Sequence, residues 1–157
     1  MSIAEILTAI QDSAIAHAIS KSNHMVAAGL QIVHVMGFIF LLAALVLISL
    51  RLLNLVMKNE PMSVVRRDAN RFFHIGLVLT VLSGTLMFVA TPKLYFYKFA
   101  FELKMLLFVG AIALQFALFR RIAAQESPHP VLARATVGVS LIVWFGIGLA
   151  GRMIGFT

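Results

Sequence analysis

The sequence predicts an all-α integral membrane protein: a four-helix transmembrane bundle preceded by an N-terminal amphipathic surface helix. Three observations carry that prediction. Of 157 residues, 61% are hydrophobic and only 12% charged, against roughly 45–50% and about 25% in soluble domains. The mean hydropathy is +0.99. The Lys and Arg residues lie between long uncharged runs rather than along a surface stripe, which is where membrane topology puts them. The formal charge of +7 and pI near 10.6 therefore do not point to nucleic acid, and none is expected as a partner. With no cysteine, disulfides, thiolate metal sites and cysteine nucleophiles are excluded.

Residues 1–20 come first. Ile3, Ile6, Leu7, Ile10 and Ala14 recur at helical spacing, with Glu5, Thr8 and Asp12 on the opposite face. Such a helix either lies on the membrane surface or packs on the bundle as an extra short helix. His17 continues the apolar stripe and is expected to point inward. The segment lacks the basic start of a secretory signal and carries Glu5 and Asp12 instead.

The transmembrane domain is expected over residues 21–157. Its spans fall at about 25–50, 72–92, 102–120 and 134–153, between flanking cations. About 20 apolar residues cross the hydrocarbon core, which the first two runs supply outright. The shorter third and fourth need flanking Lys and Arg side chains to snorkel outward. Pro61 and Ser127-Pro128-His129-Pro130 mark two turns on one side. That side carries Arg51, Lys58, Arg66, Arg67, Arg71, Arg120, Arg121 and Arg134, against Lys21, Lys93, Lys98, Lys104 and Arg152 opposite. The cationic clusters make the first side cytoplasmic, so both termini are expected on the outer, periplasmic side of a bacterial inner membrane. Tyr95, Phe96, Tyr97, Phe99 and Phe101 then form an aromatic belt at the outer interface.

Polar groups inside a membrane are costly, and each is a functional hypothesis. His34 leads, roughly 9 Å below the outer edge at about 1.5 Å per residue. Gln31 precedes it by a turn and Gly37 follows; His24 sits near the outer mouth of the same helix, and His74 just inside the cytoplasmic end of the second. Buried imidazole beside glycine suits haem b, because the nitrogen ligates iron and the missing side chain admits a flat porphyrin. Gly29 and Gly37, Gly76 and Gly84, and Gly138 and Gly146 are spaced alike on three helices, which close helix packing explains equally. His34 and His74 lie at opposite depths, roughly 20 Å apart along the normal. Two axial ligands of one iron must come within about 4 Å. One or two haems per chain are therefore expected: two separate sites, or one histidine as ligand. An outer site would pair His34 with His17 or His24, and an inner one His74 with His129.

Trp144 lies mid-span, where it either stacks on a flat cofactor or packs between helices. Arg152 is expected near Glu102, and Arg152 or Lys104 near a propionate or quinone carbonyl; Arg71 is placed likewise at the inner face. Each is otherwise a snorkelling anchor. Copper is the alternative ligand, with His17, His24 and Met25 outside and Met36 and Met87 deeper. Packing alone, as a structural or assembly subunit, is the other. No carboxylate pair, nucleophile–base arrangement or phosphate-binding loop is present, so hydrolase and transferase chemistry are not expected. Small residues on several helices offer faces for a homo-oligomer in membrane lipid.

Several short motifs also carry a resemblance. Gln31-Ile32-Val33-His34 leading to Leu50-Arg51-Leu52-Leu53 is similar to the first helix of a group of uncharacterised four-helix bacterial inner-membrane proteins. Ser83-Gly84-Thr85-Leu86-Met87-Phe88 and Phe99-Ala100-Phe101-Glu102-Leu103-Lys104-Met105-Leu106-Leu107 resemble its second and third helices. Trp144 and Ala150-Gly151-Arg152-Met153-Ile154-Gly155 resemble its last. That group in turn resembles copper-resistance D-like membrane domains and, more loosely, four-helix b-type cytochromes. The resemblance implies a four-helix bundle, makes His34 a family position and implies little about activity. Two departures stand out: Asn54 replaces the glycine that often ends the first helix, and His74 replaces an aromatic residue.

Overall fold

The computed structural model describes residues 2–21, 24–125 and 129–156. Among these every regular element is a helix, in the order α1 (Ile3–Gln11), α2 (Ala14–Ser20), α3 (His24–Leu52), α4 (Met62–Ala90), α5 (Pro92–Phe96), α6 (Phe99–Leu114), a π turn (Gln115–Phe119), α7 (Arg120–Ala123) and α8 (Pro130–Met153). Four of them are long and apolar enough to cross a membrane: His24–Leu52, Met62–Ala90, Phe99–Ala123 and Pro130–Met153. The chain is accordingly a multi-pass membrane protein. Its bundle has a His24 end, where α4 finishes and α6 starts, and a Leu52 end, where α4 starts.

The N-terminal segment is two helices rather than one. Ser2 opens α1 with a capping box: its hydroxyl accepts from the Glu5 N–H, and the Glu5 carboxylate accepts from the Ser2 N–H at 2.9 Å. The helix stops at Asp12 because Ser13 takes an extended conformation and caps α2 through the Ala16 N–H. The break resets the helical phase. Leu7 and Ala16 are buried, with α1 against α5 and α2 against α4, whereas Ile3, Ile6 and Ile15 face outward. His17, expected to point inward, is exposed for the same reason.

The second long helix begins ten residues before the uncharged run does, at Met62 directly after Pro61. No helix breaker intervenes before Gly76, so Arg66, Arg67, Asp68 and Arg71 ride on helix rather than loop. Arg67 pairs with Asp68 at 3.6 Å. The α3–α4 connection is shaped by Asn54, whose φ of 58° lies in the left-handed region. The Leu55 N–H there reaches back to the Leu50 carbonyl at 2.9 Å, closing the helix as glycine usually does. Asparagine tolerates that conformation better than other side-chain-bearing residues, so Asn54 does the work a glycine commonly does at a helix C-terminus. The Arg51 guanidinium tightens the loop, donating to the Glu60 carbonyl at 2.8 Å.

Two antiparallel hairpins make the bundle. α3 lies along α4 over most of its length, α6 lies along α8, and the hairpins meet where α3 crosses α8. The α3–α4 crossing is glycine-dependent. A Cβ on Gly76 would sit 2.5 Å from the Gly37 carbonyl oxygen and from the Leu41 nitrogen. Below it the core closes on Leu41, Leu45, Ile48, Phe73, Phe119, Trp144 and Ile147. The outward faces are apolar too: Ile32, Val78, Leu106, Val109, Ile142 and Leu149 are all exposed. In water such a surface would aggregate; in a bilayer it faces lipid.

Candidate functional site

Three helices converge on His34. Its Nδ1 lies 3.0 Å from the Thr80 carbonyl oxygen and 3.2 Å from Ser83 Oγ on α4. A carbonyl only accepts, so Nδ1 carries the proton and donates. Ser83 directs its own hydroxyl proton to the Leu79 and Thr80 carbonyls, leaving its oxygen free to accept. The lone pair therefore falls on Nε2, which accepts from Lys104 Nζ at 3.2 Å. Lys104 comes from α6 and passes over Gly151 of α8, where a Cβ would meet Nζ at 3.3 Å.

Gly84 explains how the ring fits. A Cβ there would stand 2.9 Å from His34 Cε1, so the space this glycine leaves is taken by the imidazole itself. Gly37 and Gly76 serve the α3–α4 crossing, and Gly146 lies against Leu107. Gly29 and Gly138 have no neighbour within 4 Å of such a Cβ. Helix and side-chain packing thus accounts for the glycines that make close contacts.

The other expected site residues lie apart from this centre. His24 begins α3 and is exposed, ten residues or about 15 Å up the axis from His34. One iron cannot take both. His74 is exposed on α4, its Nδ1 on the Asn70 carbonyl at 2.6 Å and its ring edge-on to Phe73 and Phe116. Among the described residues no contact joins it to His129, also exposed. Trp144 is fully buried and meets Phe73 and Phe108 edge-on, at 5.9 and 6.2 Å between centroids; it packs between helices. Arg152 lies over the Phe156 ring at 4.9 Å and makes no ion pair with Glu102 among the described residues. Arg71 lines a shallow groove with Asp68, Phe72 and Ile75. Met25 and Met36 are exposed and Met87 half-buried. Among the described residues no three His, Asp or Glu side chains converge as a metal centre would.

The sequence marked His34, and offered Lys104 as a propionate or quinone partner or a snorkelling anchor rather than as a partner of His34; Thr80 and Ser83 were not singled out as its partners. The available signal was Thr80, Ser83 and Gly84 at i, i+3 and i+4: two hydroxyls and a glycine on one face of one helix.

As a ligand set, the centre meets one requirement of a metal-bound histidine. Such residues donate the second ring N–H to a carbonyl or carboxylate, which fixes tautomer and orientation. His34 does this on Thr80, and its Nε2 lone pair is engaged by the Lys104 amine at 3.2 Å.

No curated protein and no solved structure matches the chain. Residues 10–157 match a family of unknown function, DUF6644. That match covers both hairpins together with His34, Thr80, Ser83 and Lys104, and the chain, with its four membrane-length helices, is a member of the DUF6644 family.

Proposed function

We propose that this protein is a small b-type haem membrane protein that moves electrons between a quinone or haem partner and an acceptor at the His24 end. The observation that carries the reading is the His34 geometry: Nδ1 anchored on the Thr80 carbonyl and the Nε2 lone pair facing the Lys104 amine across 3.2 Å. His34 would hold the haem iron through Nε2. Lys104 would leave Nε2 and serve as the second nitrogen donor or as the cation for a propionate. Haem supplies one-electron chemistry at its iron. The protein residues would hold the ring nitrogen in one tautomer, and the Phe88–Phe101 stack, 5.4 Å between centroids, lies about one helical turn from Gly84 and from Lys104.

The basic Leu52 end supports a cytoplasmic placement in a bacterial inner membrane with the His24 end periplasmic, by the positive-inside rule. The resemblance that its short motifs suggest to copper-resistance D-like domains and b-type cytochromes is in keeping with this reading, and we propose a homo-oligomer in the bilayer, packed through small residues.

One observation favours a structural reading. Every ring position of His34 that points to a polar group is already satisfied, by Thr80, Ser83 and Lys104, so the residue also works as a clamp joining α3, α4 and α6.

A visible spectrum of detergent-purified protein, expressed with ample haem and then reduced with dithionite, separates the readings. A Soret band with reduced α and β bands, lost in His34→Ala and altered in Lys104→Met, is expected. A colourless protein whose His34→Ala variant is merely less stable would establish the clamp instead. Copper without iron on metal analysis would move the protein to copper handling.

A further inference from the structure

The Leu52 half of the bundle contains a second polar centre that the His34 site does not use. Ser49, Gln115, Thr136 and Ser140 are 1%, 2%, 2% and 0% exposed. Ser49 Oγ, Gln115 Oε1, Thr136 Oγ1 and Ser140 Oγ are all buried without a hydrogen-bond partner. Helical Ser and Thr hydroxyls ordinarily bond back to the carbonyl one turn earlier, as Thr8 does to Ala4 and Ser83 to Leu79. These three do not.

Helix register sets the four at one depth. Lys104 lies against Gly151, Leu107 against Gly146 and Phe108 against Trp144. Continuing that antiparallel register down α6 sets Gln115 level with the turn from Val137 to Ser140. Phe38 of α3 lies against Gly148, and the same step down α3 sets Ser49 level with Val137, beside Thr136. Successive residues advance about 1.5 Å, so all four fall within about one helical turn in depth. Gln115 opens the π turn, a rare element that departs from the helical register and recurs at functional sites. Trp144, one turn from Ser140 on the same face of α8, adds an indole N–H that also lacks a partner.

We propose that Ser49, Gln115, Thr136 and Ser140 form a buried water-binding layer, reached from the Leu52 end and separate from the His34 site. Water is the ligand whose chemistry fits. Three hydroxyls offer donors and acceptors, the Gln115 carbonyl an acceptor and the Trp144 indole a donor, and an interior water needs two to four such partners. Buried polar groups are ordinarily paired, with protein or with ordered water. Ser49 lies three residues from the end of α3, about 4.5 Å by helical rise, so the path to solvent is short.

Two measurements on the full chain test this. Water-edited solid-state NMR in bilayers is expected to transfer magnetisation from water to the Gln115 side-chain amide and the Thr136 methyl, and not to the lipid-facing Ile142. Thr136→Val and Ser140→Ala are each expected to lower the melting temperature by several degrees, and Gln115→Leu with Thr136→Val to lower it by less than the two singly, because both singles disturb the same water. If the groups are dry, removing them relieves unpaired polarity: melting temperatures unchanged or raised, with no water transfer, overturn the proposal. The wild-type transfer experiment decides alone should a variant fail to fold.

Discussion

Substituting Gly76 by alanine tests the tightest glycine approach among the described residues. The added Cβ would lie 2.5 Å from the Gly37 carbonyl oxygen and from the Leu41 nitrogen. Both are backbone atoms of a helix and cannot rotate aside. Comfortable separation for a carbon is about 3.5 Å, so α3 and α4 must part by about 1 Å. Overpacking of this kind costs about 1–3 kcal/mol, against the roughly 0.5–1 kcal/mol that Gly→Ala contributes in a helix interior. The strain wins, and a chain of this size loses about 2–4 °C per kcal/mol. The damage should also spread one turn to Thr80, stretching its 3.0 Å contact with His34 Nδ1 beyond hydrogen-bond length. Gly138→Ala is the control, since its Cβ meets nothing within 4 Å. Thermal unfolding in detergent can be followed by Trp144, the sole tryptophan, which is fully buried. Gly76→Ala melting with the wild type, or above Gly138→Ala, would refute the close crossing.

Two other substitutions probe separate links. Asn54→Gly is expected to leave the melting temperature unchanged or slightly higher, whereas Asn54→Val should lower stability by about 1–2 kcal/mol through its left-handed φ of 58°; equal stability of all three in the same melt would show that the α3 terminus lacks the left-handed cap. Gly84→Ala sets a methyl 2.9 Å from His34 Cε1, so the ring must tilt off Thr80. The His34 Nδ1–H proton resonance should shift or vanish in NMR of the labelled protein, with helix content by circular dichroism unchanged; an unmoved resonance would mean that the imidazole does not lie against Gly84.

The fold was largely legible because its governing interaction is one-dimensional. A run of apolar residues long enough to cross a bilayer must become a helix to satisfy its own backbone, and the uncharged runs ending near Leu50, Pro92, Phe119 and Gly151 follow from that alone. Helix ends were less legible. α4 begins at Met62 because a charged stretch without breakers continues a helix beyond the membrane, and hydropathy does not register that. The split at Ser13 depends on one hydroxyl choosing a cap over a helical position, a balance near 1 kcal/mol.

The candidate site divides in the same way. A histidine within an apolar span is costly enough to be singled out from sequence, and His34 was. Which groups satisfy it depends on residues far apart in the chain: Lys104 reaches Nε2, Thr80 and Ser83 hold Nδ1, and Gly84 makes the room. The same holds for Trp144, which is buried between Phe73 and Phe108. The depth shared by Ser49, Gln115, Thr136 and Ser140 follows from how antiparallel helices register, a property of pairs. Composition and hydropathy along the chain thus determined that this protein crosses a membrane four times and carries a histidine inside it. Only the tertiary structure decided what that histidine faces and which serines and threonines are left unpaired, because distance between helices is set by side chains that meet across them.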